Sequence, residues 1–159
     1  MTSSGTAVLT LPSDTQILIT REFAAPKDLV WRAWTEPQLI KRWWAGQRGS
    51  VTSAEVDLRV GGTWRYVMVA HGDFEVAFHG EYSEVVPNER LVGTEIYEGA
   101  PEGSTFVTVV FTEDAGRTTL TQLIDCDSPE TRTAIIASGM EAGMQEAMDA
   151  LEQVAVLLA

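Results

Sequence analysis

Four of the chain's five tryptophans, Trp31, Trp34, Trp43 and Trp44, stand close together. They belong to the run Pro26-Lys27-Asp28-Leu29-Val30-Trp31-Arg32-Ala33-Trp34-Thr35-Glu36-Pro37, which leads into Leu39-Ile40-Lys41-Arg42-Trp43-Trp44. The run reads as two short helices bounded by prolines, a residue tolerated in a first helical turn. Such wide side chains cannot form a core alone and must close against a large apolar surface. The rest of the chain offers one: a strand before the run, about six strands after it, and a helical C-terminal segment. That order implies a sheet curled around a helix with a cavity between them, the layout of a small-molecule binding fold.

The strands announce themselves by alternation. Gln16–Phe23 comes first. After Trp44 follow 51–58, 63–70, 74–86, 90–97, 106–112 and 118–124, separated by turn signals such as Gly61-Gly62, His71-Gly72-Asp73, Pro87-Asn88 and Asp114-Ala115-Gly116. This spacing predicts an antiparallel meander. Trp64, Tyr66 and Met68 share one strand face, and so do Phe74, Val76, Phe78, Gly80 and Tyr82. Thr35 with Gln38 resembles a capping box that restarts the second short helix. Ser128-Pro129 predicts the start of a last helix of roughly 30 residues. Its apolar stripe is Ile136, Met140, Met144, Met148, Leu151, Ala155 and Leu158, with Glu141, Gln145, Asp149 and Glu152 opposite. Gly139 and Gly143 sit inside it, one turn apart, and imply close approach to a strand or room for a ligand. Residues 1–14 read as a flexible N-terminal segment, and 15–159 as a single domain.

The chain has 159 residues, 45% of them hydrophobic, enough for one domain with a real core. No apolar run is long enough to span a bilayer, and no secretion leader is recognised, so no membrane contact is expected. A net charge of −12 argues against nucleic acid as a partner. Charge is uneven: residues 21–48 carry a net +3 against −15 elsewhere. That patch is read first as an ordinary charged helix face, with an anionic ligand or partner as the alternative. Cys126, the single cysteine, suits a reducing cytoplasm.

Chemistry-bearing patterns are few. His71 and His79 are the only histidines, no metal-ligand spacing occurs, and no cofactor is expected. There is no nucleophile elbow and no phosphate loop. Cys126 precedes a helix start, which would lower its pKa, but a buried structural thiol is the preferred reading. His79 and Glu81 share a strand face and would make a proton-transfer pair if that face looked inward; the alternation favours outward. Asp57 is expected to pair with Arg59 or Arg65 across the Gly61-Gly62 hairpin. Gln122, between Leu120 and Ile124, is a polar group on an inner face.

Several segments together carry a family resemblance: Arg21-Glu22-Phe23, Ala25-Pro26, Trp34-Thr35-Glu36-Pro37, Trp43-Trp44, Asp57 to Arg65, Gly80-Glu81-Tyr82, Pro87-Asn88-Glu89-Arg90-Leu91 and Gly139 to Met144. From about Gln16 onward the chain resembles the START-like (SRPBCC) superfamily, in its activator of heat-shock protein 90 ATPase homologue-like branch. The resemblance implies an α+β helix-grip fold: a curved antiparallel sheet of six to seven strands wrapped around a long C-terminal helix, with two short helices after the first strand. It implies ligand binding more than catalysis. Two positions depart from the family pattern, Ala45-Gly46 where Gly-Pro often follows the paired tryptophans, and Met144 where an aromatic is common.

The expected function is therefore binding of a small apolar or aromatic molecule in a hydrophobic cavity between sheet and helix. The ligand-binding candidates are Trp43, Trp64, Tyr66, Met68, Phe78, Gln122, Met140 and Met144. A cavity-based enzyme of cyclase, dehydratase or isomerase type is the alternative, and a chaperone-interacting module the third. The eukaryotic activators bind the chaperone through an additional N-terminal domain, so chaperone contact is not expected. A homodimer is left open.

Overall fold

A computed structural model describes residues 7–159. Eight antiparallel strands form one curved sheet in the order β1-β2-β8-β7-β6-β5-β4-β3. The strands are β1 Val8–Thr10, β2 Gln16–Phe23, β3 Gly49–Val56, β4 Thr63–Ala70, β5 Phe74–Val86, β6 Arg90–Tyr97, β7 Ser104–Asp114 and β8 Arg117–Cys126. Helices α1 Lys27–Thr35 and α2 Pro37–Ile40 follow β2, and α3 Pro129–Ala137 and α4 Met140–Leu157 close the chain. The eighth strand is the short β1, which pairs with β2 from Val8↔Thr20 to Thr10↔Leu18. Three residues carry too little alternation to announce a strand. Beside it, the Gln145 side chain accepts from Ala7 N at 2.9 Å and donates to Ala7 O at 2.7 Å.

The two short helices form where the prolines place them, but not by a capping box. The Thr35 hydroxyl donates back to Trp31 O at 2.7 Å, and Glu36 occupies the position before Pro37. Trp34 stacks on Trp43 with centroids 5.2 Å apart, and both Trp31 and Trp34 meet Phe111 edge-on. The wedges thus close against β7. Ile17, Ile19 and Phe23 of β2, Leu120 of β8, and Val30 and Ile40 of the short helices fill the space beneath Met148, Leu151 and Ala155 of α4.

The last helix is two helices rather than one. Ser128 caps α3 as its spacing predicts, its Oγ accepting from Thr131 N at 3.1 Å. The helix then breaks at Gly139, whose φ of +81° is left-handed and comes at little cost only to glycine. Periodicity could not show this break, because the apolar stripe continues across it in phase. Helix α3 buries no residue, and Ile136 is exposed. Gly143, by contrast, remains helical. A Cβ there would meet Arg48 Nε at 3.1 Å, so what approaches is a guanidinium and not a strand.

The polar side of α4 is only partly a solvent face: Glu141 and Asp149 are exposed, whereas Glu152 is buried. Arg21, fully buried on the concave side of β2, reaches Asp149 at 2.7 Å and Glu152 at 3.5 Å. Glu152 is itself buried and accepts from Ala24 N. Among the described residues no helix is long and apolar enough to cross a membrane.

Candidate functional site

Residues paired directly across antiparallel strands share a face, so the register tells which side chains look inward. Ile17↔Ile124, Ile124↔Val107, Val107↔Gly93 and Gly93↔Tyr82 trace one inward row across the sheet. Neighbouring rows add Thr105↔Glu95 and Tyr66↔Phe78↔Tyr97. Trp64, Tyr66 and Met68 of β4 therefore face inward, as do Val76 and Phe78 of β5. Gln122, opposite Ile19 and Val109, does too. A bulge between Tyr82 and Glu84 reverses the phase, so that Val85 opposite Leu91 is inward again.

His79 and Glu81 look outward. His79 lies opposite Arg65, and both contact Glu98: His79 Nδ1 at 2.9 Å, Arg65 Nε at 2.8 Å. Hydrogen bonds from Arg65 and His79 hold the Glu98 carboxyl down at about 2. Arg65 is thus not the partner of Asp57. Asp57 pairs with Arg59 at 2.9 Å within one exposed turn.

The inward face divides into two halves. On β2, β8 and β7 nearly every inward side chain is buried under α1 and α4. On β4, β5 and β6, Trp64, Met68, Val76, Phe78 and Glu95 stay partly accessible, and Tyr97 is 41% exposed. An unbroken chain of rings covers this open half. Trp64 meets Tyr66 at 4.7 Å, Tyr66 meets Trp44 at 5.4 Å, Trp44 meets Phe78 at 5.6 Å and Phe78 meets Tyr97 at 5.1 Å. Four of these five rings stand on strands; Trp44 descends onto them from the turn after α2.

Among the rings sits a polar group. Glu95 lies between Thr105 and Gly80 on the inward face, and burial pushes its carboxyl up to about 7. Gly80 is buried, and a Cβ there would meet Thr94 O and come within 2.7 Å of Trp64 Nε1. The indole therefore lies across the glycine, toward Glu95. Burial also raises the Tyr66 phenol, with Tyr82 and the Glu95 charge adding, and pushes Tyr82 up to about 12. Two neutral phenols and one poised carboxyl thus share the floor of the open half.

Of the sequence candidates, Trp64, Tyr66, Met68 and Phe78 are brought together on this surface. Met140 and Met144 lie on α4, partly buried against the core, and Gln122 sits under the covered half. Trp43 is placed elsewhere. It is 5% exposed, stacked on Trp34, and its indole N–H donates to Ala33 O at 2.7 Å, which makes it a core residue. Its neighbour Trp44 faces the rings instead. In a turn no period marks which of two adjacent tryptophans points in.

Glu95 was missed for a related reason: Val92, Thr94 and Ile96 look more like an inner set than Leu91, Gly93, Glu95 and Tyr97. Cys126 is buried, and burial pushes its thiol up, away from nucleophilic use. Two shallow hollows open on the described surface. One of about 230 Å³ lies between Lys41–Ala45 and Gly49–Val51, and another of about 240 Å³ has Trp64 in its wall.

A gripping sheet, a helix pair after the second strand and a closing helix recur in known proteins. The family described as activator of Hsp90 ATPase homolog 1-like protein matches residues 24–155. The chain belongs to this family. Its architecture is that of the START-like superfamily. No curated protein matches it. Among solved structures it is similar to a protein from Rhodobacter sphaeroides, with 29% identity, a TM-score of 0.86, and coverage of 96% of this chain and 97% of that one. A protein from Arthrobacter aurescens shares the fold at 24% identity and TM-score 0.84, covering 94% of this chain and 91% of that one. An AHSA1-like protein from Aeromonas hydrophila does so at 24% and 0.65, covering 89% and 93%.

Proposed function

We propose that this protein binds a small, largely apolar molecule between the open half of its sheet and α4, as a cytoplasmic START-like binding domain. The observation that carries the reading is the chain of five rings from Trp64 to Tyr97, four of which stay at least partly accessible where the other half of the same sheet face is buried. Leaving aromatic surface uncovered in a folded chain forgoes about 25 cal/mol per Å², which a ligand would recover. Methionines at the edge, Met140 and Met144, add adaptable surface. The buried single cysteine suits a reducing compartment, and the −12 charge disfavours nucleic acid.

The test is a titration with a hydrophobic naphthalene dye, run beside a thermal melt, on the parent and on Met144→Trp. The larger side chain should fill part of the site and weaken dye binding several-fold with the fold retained. Equal binding by the two forms would remove Met144 from the site, and no binding by the parent would sink the reading.

One observation favours a second reading. Glu95, poised near neutrality and felt electrostatically by the Tyr66 phenol, has the proton affinity that acid–base catalysis of a cyclase, dehydratase or isomerase type requires. That reading calls for turnover of a bound carbonyl compound with loss of activity in Glu95→Gln. Binding without turnover by any such compound counts against it.

A further inference from the structure

Resting on the ligand-binding reading above, we propose that the molecule bound is an amine, its ammonium group paired with the Glu95 carboxylate and its apolar body laid against the rings of Trp64, Tyr66, Trp44 and Phe78.

The first ground is that Glu95 has no partner of its own. Among the described residues its carboxyl takes part in no hydrogen bond and no ion pair; only its backbone oxygen is used, accepting from the Thr105 hydroxyl at 3.0 Å. Glu95 is half-buried among rings, where water screens its charge incompletely and a cationic partner would stabilise it. Arg65 is held on the outer face by Glu98, Arg21 by Asp149 and Glu152, and Arg48 lies nearest Glu146. Among the described residues no basic side chain pairs with the Glu95 carboxyl.

The second ground is what surrounds it. Along the strand stands Tyr97; one strand over, Phe78 pairs with both Tyr97 and Tyr66. Aromatic faces carry negative potential and attract cations, best where water is thin. A carboxylate beside several rings is the arrangement that selects an ammonium over a neutral or anionic head group. Gly80 lets the Trp64 indole lie flat on the sheet beside Glu95, since a Cβ there would come within 2.7 Å of its Nε1. The Tyr66 and Tyr82 hydroxyls stay neutral and can accept from the remaining N–H groups. A net charge of −12 favours approach of a cation from outside.

Three probes of nearly one shape test this: 1-naphthylmethylamine, protonated at neutral pH, uncharged 1-naphthylmethanol, and anionic 1-naphthoate. Each is titrated against the parent, Glu95→Gln and Phe78→Leu at physiological salt, with a melt to confirm folding. The parent should bind the amine at least about tenfold tighter than the alcohol, and the naphthoate most weakly. Glu95→Gln should lose the amine preference while keeping its affinity for the alcohol. Phe78→Leu, which keeps bulk and removes a ring, should weaken the amine several-fold and serves as the second variant if Glu95→Gln does not fold. Equal binding of amine and alcohol by the parent overturns the amine proposal and leaves the binding reading standing. So does an amine preference that survives in Glu95→Gln, which would trace it to overall charge. Failure of all three probes to bind the parent overturns both.

Discussion

At Glu95 the folded chain holds a carboxyl with a proton affinity near neutrality, and stability must follow pH because of it. Its pKa is about 7 in the folded chain against 4.5 for an ordinary glutamate. Between those values the folded state holds a proton that the unfolded state has released, so stability falls as pH rises through the window and levels off above it. Below 4.5 the residue costs nothing. Glu95→Gln removes the charge and hence the penalty. The variant should match the parent near pH 4 and exceed it near pH 8 by up to about 3 kcal/mol, less what partial solvent access screens away. Melting curves across that range check this; a difference that does not change with pH would mean the carboxyl is ordinary. Asp57, which the hairpin motif singles out, is a different case. Its pair with Arg59 is exposed on both sides, so it contributes little.

At the scale of elements, α4 is held by charge as well as by grease. Met148, Leu151 and Ala155 bury against the sheet, and Arg21 of β2 anchors Asp149 and Glu152 from beneath. One nitrogen of Arg21, Nη2, has no hydrogen-bond partner, so the network is not fully satisfied. Removing one side of a buried pair strands the other charge. Arg21→Ala should therefore cost about 3–5 kcal/mol, whereas Arg21→Met combined with Glu152→Leu should cost far less or nothing. Denaturant unfolding of both variants decides the point, and equal losses would show that packing and not charge sets the docking. The short helices are joined to the same core by Trp34 on Trp43 and by both Trp31 and Trp34 on Phe111.

Over the whole molecule, the two halves of the sheet differ in what covers them. β2, β8 and β7 lie under α1 and α4, while β3 is an edge strand and α3 buries no residue. Local opening follows such differences in burial. Amide exchange should be slowest in β2, β7, β8 and the C-terminal half of α4, and fast in α3 and β3. A bound apolar ligand should slow exchange on β4, β5 and β6 more than on β2. Protection of α3 as strong as that of α4 would mean it is docked in solution in a way this fold does not show.

The family was legible in motif segments such as Asp57 to Arg65; alternation and helical spacing in the chain were enough to place β2, β4, β5 and β6 to the residue, the two proline-started helices and the inward Trp64-Tyr66-Met68 face. These are local periods, and a local period is written residue by residue. Tertiary structure decided the rest. It broke the last helix at Gly139, because a left-handed φ is a matter of backbone and not of pattern. It turned Glu152 from a solvent-facing residue into a buried partner of Arg21, and Trp43 into core while Trp44 met the rings. It set Glu95 inward beside Gly80 through a register that spans the sheet. Each of these depends on which distant segment lies opposite, and a one-residue change of register or one turn of helix reverses the answer.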